Sequence, residues 1–287
     1  LIAKILIVDS APALAQAGLA RHGGLPYGAT YESALQSQAA GLFDRLECFI
    51  LAAGDCENLP QGMGFADFDG IAWTGSPLNA YDTGPVERHQ VEFARAAFAS
   101  GVPGFGSCWG MQVMSVALGG RVQLHPQGLE CGVGRKIAVN VAGQRHPMYR
   151  GKPAVFDALC WHQDEVTTPP PGAVVLAGNG HSAIQAMAVE DGVRSFWGVQ
   201  YHPEFDLDVV ASLFSYRAKR MAADGFVRDP AEAAGMAEDF RALQRSKARK
   251  DVAWRYGIGG DVTDAAVHRL ELANWLCAVH DRVHHSG

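Results

Sequence analysis

With 287 residues, 48% of them hydrophobic and only 19% charged, the chain has material for one large core plus an additional segment, as a soluble globular protein does. A formal net charge of −6 argues against binding a nucleic-acid backbone, and no continuous apolar stretch reaches the ~18 residues that a membrane span needs. The chain opens on a core strand and not on a signal peptide, so the cytoplasm is the expected location; its cysteines, Cys48, Cys56, Cys108, Cys131, Cys160 and Cys277, show no C-x-x-C or other metal spacing and read as reduced thiols.

Lys4-Ile5-Leu6-Ile7-Val8-Asp9 is β-rich and reads as a parallel strand, followed by an alanine-rich helix over residues 12–21. Further strands are expected at 47–51, 70–74 and 102–105, with a helix over 85–99 in which Pro85 suits the first turn. Residues 111–118 form helix well and end at Gly119-Gly120. Short strands at 135–141, 154–160, 174–177 and 183–189 then replace the alternation and would form an antiparallel extension, before a helix returns at 206–221. The pattern is that of an α/β fold with a central, mostly parallel sheet, whose ligand crevice lies at the carboxyl ends of the strands.

Composition shifts near residue 226. Asp229 as cap and Pro230 at the first position begin a solvated helix over 229–249, whose basic end, Arg245-Ser246-Lys247-Ala248-Arg249-Lys250, suits the helix dipole. A final helix over 263–279 carries Val267, Leu270, Trp275, Leu276 and Val279 near helical spacing, a face that would cover the main domain or a partner.

Chemistry concentrates in two motifs. In Gly106-Ser107-Cys108-Trp109-Gly110-Met111-Gln112 a cysteine stands between two glycines where an apolar run gives way to a helix. A nucleophile elbow needs small residues on both sides, because its backbone is strained and strand and helix approach closely. The free N–H groups at the helix start suit a thiolate, and the N–H of Trp109 would face an oxyanion. Alone, the elbow pattern favours a nucleophile only modestly over a small buried hydrophobe. The second motif, Trp197-Gly198-Val199-Gln200-Tyr201-His202-Pro203-Glu204, ends a strand in a His-x-Glu pair. It supplies a base for the thiol and a carboxylate to orient that base, the two side chains lying on one side of an extended segment.

These motifs resemble those of the class I, triad-type, glutamine amidotransferases. The P-x-x-G-x-C-x-G-x-Q signature stands from Pro103 to Gln112 and G-x-Q-x-H-P-E from Gly198 to Glu204; Trp161-His162-Gln163-Asp164-Glu165-Val166 is similar to the loop that cups glutamine, Thr74-Gly75-Ser76-Pro77 to the oxyanion strand end, and Glu130-Cys131-Gly132 to the E-x-G after the nucleophile helix. The H-x-D-x-V form of His162, Asp164 and Val166 is similar to the amidotransferase domain of GMP synthase and its stand-alone relatives.

The resemblance implies a three-layer, flavodoxin-like α/β fold, with a glutaminase domain over residues 1–225 and a helical extension over 226–287. It implies Cys108 as nucleophile, His202 as base and then acid, and Glu204 as the group orienting His202. The oxyanion hole would take the N–H of Trp109 and one from Gly75 or Ser76. Gln112 would contact the bound glutamine, and the backbone of Trp161, His162, Gln163 and Asp164 its α-amino and α-carboxylate groups. The small-molecule substrate is glutamine or another γ-glutamyl amide; no metal or cofactor is implied. No G-x-x-x-x-G-K-[ST] loop is present to activate an acceptor, which leaves a separate ATP-dependent synthetase as the candidate partner for released ammonia. A γ-glutamyl hydrolase is the alternative, and a non-catalytic scaffold is poorly compatible with an intact triad. Nothing bears on oligomeric state.

Of the eleven histidines, His146, His181, His280, His284 and His285 show no ligand spacing, and the His284-His285-Ser286-Gly287 end reads as a disordered tail. His162 reads as structural more than catalytic. The Trp109 ring would either line the pocket or pack against the sheet.

Overall fold

The computed structural model describes residues 1–286, with side chains through His284. In chain order its elements are β1 (Ile2–Val8), α1 (Ala13–Ala20), α2 (Tyr27–Ala39), β2 (Arg45–Leu51), β3 (Gly70–Trp73), α3 (Pro85–Ala99), β4 (Gly104–Ser107) and α4 (Trp109–Ala117). Next come β5 (Arg121–Leu124), β6 (Glu130–Val139), α5 (Val141–Arg145), β7 (Val155–His162), β8 (Asp164–Thr168), β9 (Ala173–Gly178), β10 (Ala186–Glu190) and β11 (Ser195–Val199). The chain closes with α6 (Leu207–Ala223), α7 (Pro230–Arg245), α8 (Lys250–Arg255), α9 (Gly260–Thr263), α10 (Ala265–His268) and α11 (Leu270–Ser286).

One nine-stranded sheet runs in the order β2-β1-β3-β4-β11-β10-β9-β6-β7. Pairings from β2 through β11 are parallel, and those from β11 out to β7 antiparallel. This is the expected mostly parallel sheet with its antiparallel extension. Because side chains alternate across a strand, each central strand feeds two cores. Ile5, Ile7, Ala72, Phe105 and Trp197 face one way, onto Tyr31 and Leu35 of α2 and Trp275, Leu276 and Val279 of α11. Leu6, Val8, Ile71, Trp73 and Phe196 face the other, onto Phe93 of α3 and Trp109 and Met111 of α4. A third cluster gathers Phe205, Leu213 and Phe214 with Phe240 of α7 and Val252 of α8.

The helix at 85–99 forms as expected, with Pro85 in its first turn. Asp229 caps α7, accepting the N–H of Glu232 at 2.9 Å. Four expectations are corrected. The strand placed at 102–105 lies at Gly104–Ser107, because register with β3 and β11 begins at Gly104. The helix read through 249 ends at Arg245, where Ser246 turns extended, and α8 begins at Lys250. The single helix over 263–279 is broken: Asp264 caps a new turn by accepting from Ala266 N–H at 3.0 Å, and the Lys152 ammonium takes the carbonyls of Val267 and His268 at 2.8 and 3.2 Å. The end read as disordered continues α11 as far as Ser286, while Gly287 lies outside the described residues. Helix α2 and the two-stranded β5-β8 ribbon were not expected at all.

The face of α11 covers this chain's own sheet, the Trp275 ring lying 5.9 Å from that of Phe105. Lys152 and Glu271 form an ion pair at 2.9 Å with both side chains essentially inaccessible, and Tyr201 donates to Glu271 at 2.6 Å. Among the described residues, no helix is long and apolar enough to cross a membrane.

Candidate active site

Cys108 occupies the turn between β4 and α4 with φ 52° and ψ −105°, a conformation side-chain-bearing residues rarely adopt. Its N–H donates to Val199 O of β11 at 2.7 Å, which ties the strained residue to the sheet. The glycines on either side provide space: a Cβ on Gly106 would stand 2.7 Å from the carbonyl carbon of Gly110, and one on Gly110 would stand 2.6 Å from Cβ of Trp73. Cys108 is 5% exposed, and its sulfur sits 3.7 Å from Trp161 O.

The chain leaves β11 at Val199 and places His202 and Glu204 in the following turn, where Phe205 N–H bonds back to His202 O at 3.3 Å. The two side chains therefore meet across a turn, correcting the extended segment read from the sequence. His202 Nδ1 lies 2.6 Å from Glu204 Oε1, and both residues are 2% exposed. Phe205 stacks on the imidazole at 3.8 Å between centroids, the two rings almost parallel. Burial pushes the His202 pKa down, but the Glu204 charge and hydrogen bonds to Cys108 and Glu204 outweigh it and raise the group to about 10. On the far side of the ring, a Cβ on Gly75 would fall 2.8 Å from His202 Cε1, so only glycine lets the β3 end approach so closely.

A cavity of about 260 Å³ opens over the sulfur. Of the residues expected at the site, Gly75, Ser76, Cys108, Gln112, Trp161, His162, Gln163, Asp164 and His202 line it. Glu204 lies behind His202. The Trp109 ring is buried in the core, its Nε1 donating to Gln90 at 2.8 Å, so only its backbone is near Cys108. As the first residue of α4, Trp109 has no intrahelical acceptor for its N–H, and among the described residues the N–H groups of Gly75 and Ser76 bond to nothing either. Gln112 is fixed by donating to Asp164 O at 3.0 Å and Gln200 Oε1 at 3.2 Å. His162 is engaged by Glu130 Oε2 at 2.8 Å and Asp164 O at 3.0 Å. Burial raises Glu130, but its bonds to His162, Asn179 and Gln185 prevail and hold the carboxyl below its ordinary range. Asp164 is raised by burial, with Tyr81 donating to it at 3.3 Å.

Tyr27, Leu129, Leu213 and Arg217 also line the cavity. They belong to no local motif: α2 carries Tyr27, α6 carries Leu213 and Arg217, and Leu129 stands in the loop before β6. Among the described residues no group of His, Cys, Asp or Glu is spaced to hold a metal ion.

The sequence model of the class-I glutamine amidotransferases matches residues 54–213, more than half of the chain. The chain belongs to that family. It is an enzyme of the amidotransferase and hydrolase kind. Among its relatives is a γ-glutamyl-L-1-hydroxyisopropylamide hydrolase of Pseudomonas sp, 34% identical over 95% of this chain and 92% of the relative. The GMP synthase of Symbiobacterium thermophilum is 36% identical over 43% of this chain but only 24% of its own length. A glutamine amidotransferase structure from Thermotoga maritima superposes with a TM-score of 0.68 over 97% of this chain and 98% of the other at 14% identity, a likeness of fold.

Proposed function

We propose that the chain hydrolyses γ-glutamyl amides, glutamine being the simplest, through a thioester on Cys108. Cys108 Sγ attacks the γ-amide carbon, and the new C–S bond forms as charge moves onto the amide oxygen, which the N–H of Trp109 and that of Gly75 or Ser76 would receive. His202, holding the proton the sulfur gave up, delivers it to the nitrogen as the C–N bond breaks and the amine leaves. Water then attacks the thioester, passing a proton to His202; the C–S bond breaks, glutamate departs and the sulfur recovers its proton. Glu204 keeps the imidazole oriented and supports its positive charge. The backbone of residues 161–164 and the side chain of Gln112 would hold the glutamyl α-groups.

The observation that carries this reading is one cavity containing Cys108 on its strained elbow and His202 braced by Glu204. The relative that matches end to end is named for hydrolysing a γ-glutamyl amide, which supports release to water as the complete reaction. The partial match to GMP synthases supports a second reading, in which a separate ATP-dependent synthetase consumes the ammonia. Purified protein is expected to release glutamate from glutamine or a γ-glutamyl alkylamide, with Cys108→Ala slower by about a thousandfold or more and an unchanged circular-dichroism spectrum. Full activity in that variant would refute the mechanism. Turnover that appears only when a synthetase is added favours the second reading.

A further inference from the structure

The cavity has a wall to which the proposed steps assign no role. Leu213, Arg217, Arg220, Met221 and Asp224 line it at three- and four-residue spacing along one face of α6, and Tyr27, the first residue of α2, joins them. Arg220 is satisfied by Asp224 at 2.6 Å. Arg217 is different: among the described residues it has no ion pair and no hydrogen bond, and its guanidinium carbon rests 4.6 Å from the centroid of the Tyr216 ring. The Tyr27 hydroxyl likewise has no hydrogen-bond partner among the described residues. Burial pushes that hydroxyl well up, so it stays protonated and serves as a donor. Two donors without a partner among the described residues thus belong to the lining of the cavity that holds Cys108. Ammonia, the leaving group from glutamine, offers no oxygen to either donor.

We propose that Tyr27 and Arg217 form a leaving-group subsite, selecting γ-glutamyl amides whose amine carries an oxygen acceptor, the hydroxyl of an amino alcohol or the carboxylate of an amino acid. This rests on the thioester reading above. The chemistry is unchanged: the C–N bond breaks, His202 protonates the nitrogen, and the departing amine keeps its oxygen on the two donors until it leaves. Bonds between a guanidinium and an oxygen acceptor inside a cavity are worth about 10- to 100-fold in selectivity.

The test compares kcat/KM for γ-glutamyl-alaninol, γ-glutamyl-alanine, γ-glutamyl-propylamide and glutamine in the wild-type protein, Arg217→Met and Tyr27→Phe. The two oxygen-bearing amides are expected to exceed the propylamide by about tenfold or more in the wild type, and each variant to lose most of that ratio. A larger loss on the alanine amide than on the alaninol amide identifies a carboxylate ligand, and the reverse a hydroxyl; either supports the subsite. An equal fall on all four substrates would place Arg217 on the glutamyl half and overturn the proposal, as would a wild type that cleaves the propylamide equally well. Calorimetric binding of the same amides to Cys108→Ala protein, with and without Arg217→Met, reads the preference without turnover. A failure of the thioester chemistry is thereby separated from a failure of the subsite.

Discussion

His202 keeps a proton in a place that ought to remove it. Burial alone would lower an imidazole, yet Glu204 at 2.6 Å and the neighbouring sulfur raise it to about 10. The folded value lies above the unfolded value of 6.5, so the stability this group contributes is complete below pH 6.5 and is lost as pH rises through about 10. Activity that needs the imidazolium to protonate the leaving amine follows the same limb. Glu204→Gln removes the charge that raises the group, so the alkaline limb of kcat/KM is expected to move to lower pH and kcat to fall by about 100- to 10,000-fold. A pH profile of both proteins checks this; an unmoved limb would mean that Glu204 does not set the proton affinity of His202.

The elbow is a property of elements, since its strain is held by β3, β4, β11 and α4 together. Gly110 packs against Trp73 of the neighbouring strand, and both backbones are fixed by sheet and helix hydrogen bonds. Gly110→Ala, its Cβ 2.6 Å from Trp73 Cβ, is expected to cost about 1–3 kcal/mol and to lower Tm by several degrees, as calorimetry would read. The same elements explain what the sequence made legible. Cys108, His202 and Glu204 are each announced by their immediate neighbours, because an elbow and a His-x-Glu turn are local geometries with local residue requirements. Helix α2 was not expected because its buried face carries only two large side chains, Tyr31 and Leu35, among the small or polar Gly28, Thr30, Ala34 and Ala39, a weak apolar stripe. The β5-β8 ribbon mixes polar and apolar residues, and its strands find each other only across the loop that cups the cavity. Tyr27 and Arg217 were invisible for a related reason: their placement depends on how two distant helices pack.

At the scale of the whole molecule, residues beyond 226 are wound into the main cores. They grip both flanks of the turn that carries His202 and Glu204. Tyr201, just before His202, donates to Glu271, which pairs with Lys152; Phe205 O, just after Glu204, accepts from His268 Nε2 at 2.9 Å. Burial, with the Lys152 charge adding to it, holds His268 down to about 3, so it is neutral at working pH. Glu271→Gln would leave the Lys152 ammonium buried without its carboxylate, an expected loss of about 3–5 kcal/mol in urea unfolding. The Tyr201 anchor weakens with it, so kcat should fall more than KM rises. A variant as stable as wild type would show that the extension does not brace the turn.

The identity of the covalent intermediate is the most direct test of the chemistry proposed for this cavity. Wild-type protein mixed with a γ-glutamyl amide, quenched in acid within one turnover and digested, is expected to carry a glutamyl group on the peptide containing Cys108, and the group should disappear as glutamate is released. Glutamate released at the wild-type rate by Cys108→Ala, or a glutamyl group found on another residue, would contradict it.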